Sequence, residues 1–172
     1  MCYHSLMKEL SIYTDGSSLG NPGKGGWGAV FVGNKQALEL GEAHADVTNN
    51  QMELLAVYKA LEEVVDLAIR DYVITVHSDS MYVVNGLNEW IFNWKKKNWK
   101  KADGKPVLNK DLWEDIQRVR DFVEVENKVI FEHIKAHAGY VHNERADDIA
   151  RGLAEGEDIA LFSGSQKDYI QE

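Results

Sequence analysis

Asp15, Glu53, Asp79 and Asp147 are carboxylates whose placement suits cation binding. Each also has an ordinary role open to it. Asp15, before Gly16, suits an Asx-turn. Asn50 and Glu53 suit a variant capping box, Asp79 a helix cap, and Asp147 an ion pair with Arg151 one turn on. Together they say more. Clustered anions repel strongly in a low-dielectric site. Hard divalent cations relieve that repulsion, and Mg²⁺ takes a few carboxylates plus substrate phosphate oxygens. Two such ions about 4 Å apart hold the attacking and leaving oxygens of phosphoryl transfer. No Ser, Cys or His nucleophile motif accompanies the acids, so the chemistry to expect is attack by a metal-activated water on a phosphodiester.

The elements that must position these acids follow from periodicity. Leu10, Ile12 and Thr14 alternate with Ser11, Tyr13 and Asp15, a strand ending at Asp15-Gly16. A glycine-rich turn, Gly20-Asn21-Pro22-Gly23, precedes strands over Trp27–Val32 and Gln36–Ala43, joined at Gly33-Asn34 as a hairpin. Met52, Leu55, Ala56, Ala60, Val64 and Leu67 recur at helical spacing within Asn50–Leu67. The spacing then predicts a strand over Tyr72–His77, a short helix over Asp79–Gly86 and a basic, aromatic helix over Asn88–Lys101. A helix over Leu112–Val123, a strand over Lys128–Ile134 and a helix over His142–Leu153 complete the order. A meander followed by alternating helix and strand implies an α/β fold, a mixed sheet with helices packed on it. Pairing the Tyr72–His77 strand in parallel with the first brings Asp15 and Asp79 together at carboxyl ends, where open α/β sheets place their sites.

The 172 residues suit one domain. No apolar run reaches the roughly 18 residues of a membrane helix. Lys8 and Glu9 interrupt any secretory h-region. The single cysteine, Cys2, excludes an internal disulfide and multi-cysteine metal sites. A cytoplasmic protein is the expectation. The net charge of −9 argues against nucleic acid, yet between Ile91 and Lys110 seven lysines face one acid, Asp103. A local basic patch on an acidic body is the footprint of a nucleic-acid binder.

Several motifs share one resemblance. They are Tyr13-Thr14-Asp15-Gly16-Ser17, Gly20-Asn21-Pro22-Gly23, Thr48-Asn49-Asn50-Gln51-Met52-Glu53-Leu54 and Ser78-Asp79-Ser80. Trp90-Ile91-Phe92-Asn93-Trp94-Lys95-Lys96-Lys97 with Trp99-Lys100, and His137-Ala138-Gly139 with Asn143-Glu144-Arg145-Ala146-Asp147, continue the series. In order, from about Glu9 to Leu153, the set resembles type I ribonuclease H, and the lysine-rich insertion resembles its bacterial branch. The resemblance implies a ribonuclease H-like fold: a mixed five-stranded sheet, antiparallel meander then parallel strands, with helices on both faces. The catalytic domain would span residues 1–153, with a basic protrusion at about 90–110. Beyond Gly152 the periodic pattern itself fades, so residues 154–172 read as an acidic, mobile tail.

It also implies an endonuclease that hydrolyses the RNA strand of RNA–DNA hybrids, leaving 5′-phosphate and 3′-hydroxyl ends. Asp15, Glu53, Asp79 and Asp147 match the family's metal-binding carboxylates. Asp148 competes for the last place, but the spacing from Asn143-Glu144 favours Asp147. His137 matches a loop histidine associated with proton transfer or product release. Asn21, Asn49 and Asn50 match contacts to the RNA strand, whose 2′-OH both donates and accepts hydrogen bonds. Thr48 and Asn93 match a pocket for a DNA phosphate, and Trp90 and Trp94 match aromatics lining the DNA groove. Core packing is the other reading of these tryptophans. Lys95, Lys96, Lys97 and Lys100 fall in the substrate-binding protrusion. The implied cofactor is Mg²⁺, with Mn²⁺ as substitute and two ions in the substrate complex; the implied state is a monomer.

Ala136, Met81 and Tyr140-Val141-His142 depart from the family pattern: a glycine, a glutamine reaching bases and a proline-containing stretch are usual there. Two other functions remain open on the same fold. One is a non-catalytic hybrid-binding module; the other is an integrase-like enzyme acting on DNA.

Overall fold

The computed structural model describes residues 7–169. Strands β1 (Lys8–Ser18), β2 (Gly23–Gly33) and β3 (Gln36–Val47) form an antiparallel meander. Helix α1 (Asn49–Asp66) leads to β4 (Tyr72–Ser78), which pairs in parallel with β1. Next come α2 (Met81–Asn85), a π-helical turn (Gly86–Trp90), α3 (Ile91–Lys96) and α4 (Lys110–Val123). Strand β5 (Lys128–His133) lies parallel to β4. Helix α5 (Val141–Glu155), β6 (Ser163–Ser165) and the single turn α6 (Gln166–Tyr169) follow. The sheet order is β5-β4-β1-β2-β3-β6.

Helices cover both faces, as expected. On one face Leu10, Ile12, Ala29, Phe31, Ile74 and Val76 meet Leu54, Val57 and Leu61 of α1 and Trp113 and Ile116 of α4. On the other, Val30 packs on Ala146 and Ile149 of α5, flanked by Tyr13 and Leu153. Successive strand residues point to opposite faces, so β2 supplies both cores from neighbouring positions.

Three expectations are corrected. The sheet has six strands: β6 pairs antiparallel with β3, Gln36 opposite Ser165. Of the segment expected as a mobile tail over 154–172, residues 154–155 complete α5 and the chain up to Tyr169 is docked instead, while 170–172 lie outside the described residues. Phe162 N–H donates to Glu39 at 3.0 Å, and Gln166 N–H to the Lys35 carbonyl at 2.9 Å. The basic segment is helical only to Lys96; Asn98 and Trp99 adopt φ of 51° and 57°, and a loop closes through Lys101 N–H to the Lys105 carbonyl at 2.8 Å. A positive φ is rare for a bulky residue; here it turns Trp99 back onto Trp94, with ring centroids 6.4 Å apart.

Among the described residues, no helix is long and apolar enough to cross a membrane.

Candidate active site

Strand pairing, helix capping and one glycine gather the acids. Tyr13 lies opposite His77 in the parallel β1–β4 ladder, so two residues further on each strand Asp15 and Asp79 leave the sheet side by side. Helix α1 begins at a capping box: Thr48 Oγ1 accepts from Gln51 N–H at 3.3 Å, and Gln51 Oε1 accepts from Thr48 N–H at 2.8 Å. The box therefore belongs to Thr48 and Gln51, not to Asn50 and Glu53, and the Glu53 carboxylate is free of capping duty. Gly16 lets α1 lie directly on β1: a Cβ there would overlap the Glu53 backbone nitrogen. Glu53 is thereby pressed against Asp15. Ser80, not Asp79, caps α2, accepting from Val83 N–H at 3.4 Å.

One carboxylate oxygen from each of Asp15, Glu53 and Asp79 lies within 4.8 Å of the others. Asp15 and Glu53 are buried, 6% and 7% exposed. Asp15 retains its ordinary role in part, since its Oδ1 accepts from Gly16 N–H at 2.7 Å. Glu53 Oε2 is buried with no hydrogen-bond partner. A buried unpartnered carboxylate oxygen is costly, and a divalent cation is the partner that three converging carboxylates suit. Burial, then the charges of Asp79 and Asp147, push the Asp15 carboxyl up to about 8. Burial, then Asp15 and Asp79, hold Glu53 well above the usual carboxylate range.

Asp147 lies outside the tight triad but near enough for its charge to act on both buried acids. It keeps its helical partner, with Arg151 at 3.5 Å. Asp148 is more exposed and pairs with Arg151 at 2.6 Å.

Sequence reasoning missed two supports. Asn143, 3% exposed, donates through Nδ2 to Asp79 Oδ2 at 3.2 Å. His133 Nε2 donates to the Asp79 carbonyl at 3.2 Å. The asparagine in the first turn of the last helix was visible in the sequence; its burial was not. Of the expected substrate residues, Asn21 Oδ1 accepts from Asn49 N–H at 3.0 Å, and Asn49 Nδ2 donates to Glu53 at 3.4 Å. The turn, the helix start and the acid thus form one chain of contacts, with Asn50 exposed beside it. Thr48 spends a lone pair on capping and keeps its O–H for a ligand. Trp90 and Trp94 are half-buried: Trp94 stacks edge-on with Trp113 at 5.4 Å and sits 5.8 Å from Trp90, so core packing accounts for part of each ring. Asn93, Lys95, Lys96, Lys97 and Lys100 are exposed. His137 is exposed in the β5–α5 loop with φ of 51°, outside the triad.

Stability should report this repulsion. Asp15 binds its proton more tightly in the folded chain (about 8) than at its ordinary value of 3.8. The folded chain therefore holds more protons across that window, and metal-free stability falls as pH rises through it. Mg²⁺ is expected to raise the melting temperature more at about pH 8 than at about pH 5. Relieved repulsion is worth about 2–4 °C per kcal/mol in a chain of this size. Equal Mg²⁺ shifts at both pH values would contradict a cation at Asp15.

Fold and site define an α/β protein with a cation-seeking acidic centre at the carboxyl ends of parallel strands. Residues 7–155 match the RNase H family. Ribonuclease H of Agrobacterium fabrum is 46% identical over 145 residues, 84% of this chain and 94% of that protein. LC9-RNase H1, a type 1 RNase H with the type 2 active-site motif, superposes with a TM-score of 0.80 at 22% identity, covering 96% of this chain and 82% of that one. LC11-RNase H1, solved in complex with RNA/DNA hybrid, gives a TM-score of 0.64 at 24% identity, covering 86% and 97%. The chain belongs to the RNase H family.

Proposed function

We propose that this chain is an endonuclease that hydrolyses the RNA strand of RNA–DNA hybrids at the Asp15–Glu53–Asp79 centre. The observation that carries the reading is the convergence of three carboxylate oxygens within 4.8 Å in a member of the RNase H family. A non-catalytic binding module has no need of that convergence, which costs stability without a cation.

Asp15, Glu53 and Asp79 would hold the cation, with Asp147 adding charge from α5. A divalent ion bound there, Mg²⁺ by the oxygen-only donor set, would supply Lewis-acid polarisation of the phosphate and activation of water. Asn143 orients Asp79, and Asn49 orients Glu53 while its turn, with Asn21 and Asn50, faces the RNA ribose. Thr48 and Asn93 offer hydrogen-bond donors to the DNA strand. Trp90 and Trp94 present their exposed edges to the sugars, and Lys95, Lys96, Lys97 and Lys100 meet the phosphates. Products carry 5′-phosphate and 3′-hydroxyl ends.

The test is cleavage of a strand-labelled hybrid beside duplex DNA and duplex RNA, with and without EDTA. Cutting of the RNA strand only, abolished by EDTA, is the expected result. Full activity in metal-free buffer, or cutting of duplex DNA, would refute it.

His137 reaches solvent from a loop that runs straight into α5. An exposed imidazole there is placed to move a proton or help the product leave. His137→Ala is expected to lower kcat by about 10²-fold, at the lower end of general acid–base contributions, with KM little changed. A loss confined to KM would make His137 a binding residue.

A further inference from the structure

Helix α5 carries Asn143 and Asp147, yet no side chain caps its start, where the Asn143 and Glu144 N–H groups share the Tyr140 carbonyl at 2.9 and 3.0 Å. Its N-cap, Tyr140, makes no side-chain capping bond, and the loop before it is exposed from Lys135 to Tyr140. An N-terminus without a cap leaves its first N–H groups unpaired and frays readily.

The Tyr13 ring of β1 lies 5.4 Å from His142, and the C-terminal segment adds a second restraint. Glu39 of β3 is buried, its side chain 1% exposed, and collects four donors: Arg145 Nε at 2.7 Å, an Arg145 terminal nitrogen at 2.9 Å, Phe162 N–H at 3.0 Å and Tyr169 O–H at 2.8 Å. Arg145 also donates to the Ala160 carbonyl at 3.0 Å. Burial alone would raise the Glu39 carboxyl, but these donors outweigh it and hold it below the ordinary range. A two-pronged arginine–carboxylate contact of this kind fixes orientation as well as energy. The Tyr169 ring stacks on His142 at 5.6 Å, and Phe162 lies 4.9 Å from Tyr169. The tail thus grips His142 and Arg145, the residues on either side of the Asn143–Glu144 pair. Between those grips, Asn143 donates to Asp79.

We propose that residues 157–169 are a positioning strap for the catalytic centre, which fixes the first turns of α5 against β3 and so sets the Asn143–Asp79 contact and the approach of Asp147. The strap lies beyond residues 7–155, the span matched by the family. It is pinned at points rather than packed flush: a groove of about 910 Å³ remains between it and α5, lined by Val141, His142, Ile159, Leu161 and Phe162 among others. Releasing the pins leaves the core under α1 and α4 intact and touches the core under α5 at its edge, where Ile159 and Tyr169 pack against the Val30, Ala146 and Ile149 cluster. This inference rests on the reading of Asp79 as a cation ligand. Partners that hydrogen-bond a ligating carboxylate govern metal affinity strongly.

The experiment uses the full chain carrying Phe162→Ala with Tyr169→Ala, and separately Tyr169→Phe, which keeps the ring and removes the donor to Glu39. Mg²⁺ binding to the substrate-free protein is followed by NMR at the Asn143 side-chain amide and the Asp79 N–H. Loss of a partner to a ligand costs about 10–100-fold in affinity. The strap acts one contact further out, so the double variant should weaken Mg²⁺ binding by about 3–10-fold and Tyr169→Phe by less. Hybrid KM at saturating Mg²⁺ should stay at the parent value. In an Asn143→Ala background the tail substitutions should cost less than in the parent, because coupled residues are non-additive and only the Asp147 route is left. A lower melting temperature with parental Mg²⁺ affinity would overturn the strap, leaving the tail a stabilising element only. Full additivity with Asn143→Ala would also overturn it. Failure of the parent to cleave hybrid would count against the proposed function, while the Mg²⁺ titration would still judge the strap.

Discussion

Asp15→Asn is expected to lower hybrid cleavage at saturating Mg²⁺ by at least about 10²–10³-fold, the loss seen when one preorganised electrostatic group is removed. It should also raise the melting temperature of the metal-free protein. Asparagine keeps the shape and the Oδ1 that accepts from Gly16 N–H at 2.7 Å. It removes a charge that burial, Asp79 and Asp147 already oppose. The gain in metal-free stability should therefore grow as pH rises from 3.8 and level off above about 8, where the parent Asp15 is ionised. Asp79→Asn should follow in activity, because the Asn143 donor still finds an oxygen. Asp147→Asn should lose more activity than Asp148→Asn, since only Asp147 acts on both buried acids. The measurement pairs initial rates with thermal melts in EDTA across pH. Turnover of Asp15→Asn within a few-fold of the parent would remove Asp15 from the chemistry.

The pairing of Asp15 with Asp79 was legible because a single period-2 strand and a β-branched strand each end in an acid. Parallel pairing then leaves little freedom in where those acids meet. Glu53 was legible as a residue but not in its local setting. Two alternative helix starts, Thr48 and Asn50, carry similar capping chemistry, and only tertiary packing of α1 on Gly16 selects the first. Asn143 was hidden because a polar residue beside an exposed loop reads as solvated until Asp79, 64 positions earlier, is placed against it. The docked tail was harder still. Ser163-Gly164-Ser165 has no apolar alternation to announce a strand, and its anchor, Glu39, sits 123 positions before Phe162 and 130 before Tyr169. Long-range polar contacts of this kind leave no periodic trace. The basic segment misled for a related reason. Its composition favours helix up to Lys101, but the gain from seating Trp99 on Trp94 overrides propensity after Lys96.

That aromatic scaffold makes the second large effect separable from folding. Replacing Lys95, Lys96, Lys97, Lys100 and Lys101 with alanine is expected to raise KM for hybrid steeply at physiological salt while kcat falls much less. All five are exposed, and none makes an ion pair with a carboxylate among the described residues. Their charge is therefore unneutralised within the protein, and its removal leaves no orphaned acid. Trp94, Trp99 and the buried Val107 hold the loop through rings and backbone, including Val107 N–H to the Trp99 carbonyl at 3.0 Å, so the substitutions should change field rather than fold. Cations that neutralise phosphates release condensed counterions, and the slope of log affinity against log salt flattens by about 0.9 for each duplex phosphate no longer neutralised. If every one of the five lysines meets a phosphate, the change reaches an upper limit of about 4.5; lysines that touch no phosphate bring it lower. Because the acidic centre is carried by other elements, Mg²⁺ affinity and kcat at saturating hybrid should stay near the parent. The measurement is KM, kcat and hybrid affinity across a salt series for both proteins. An unchanged slope with unchanged KM would show that the lysines are only a solvated surface. A fall in kcat matching the rise in KM would mean that the loop positions the scissile strand as well as attracting it.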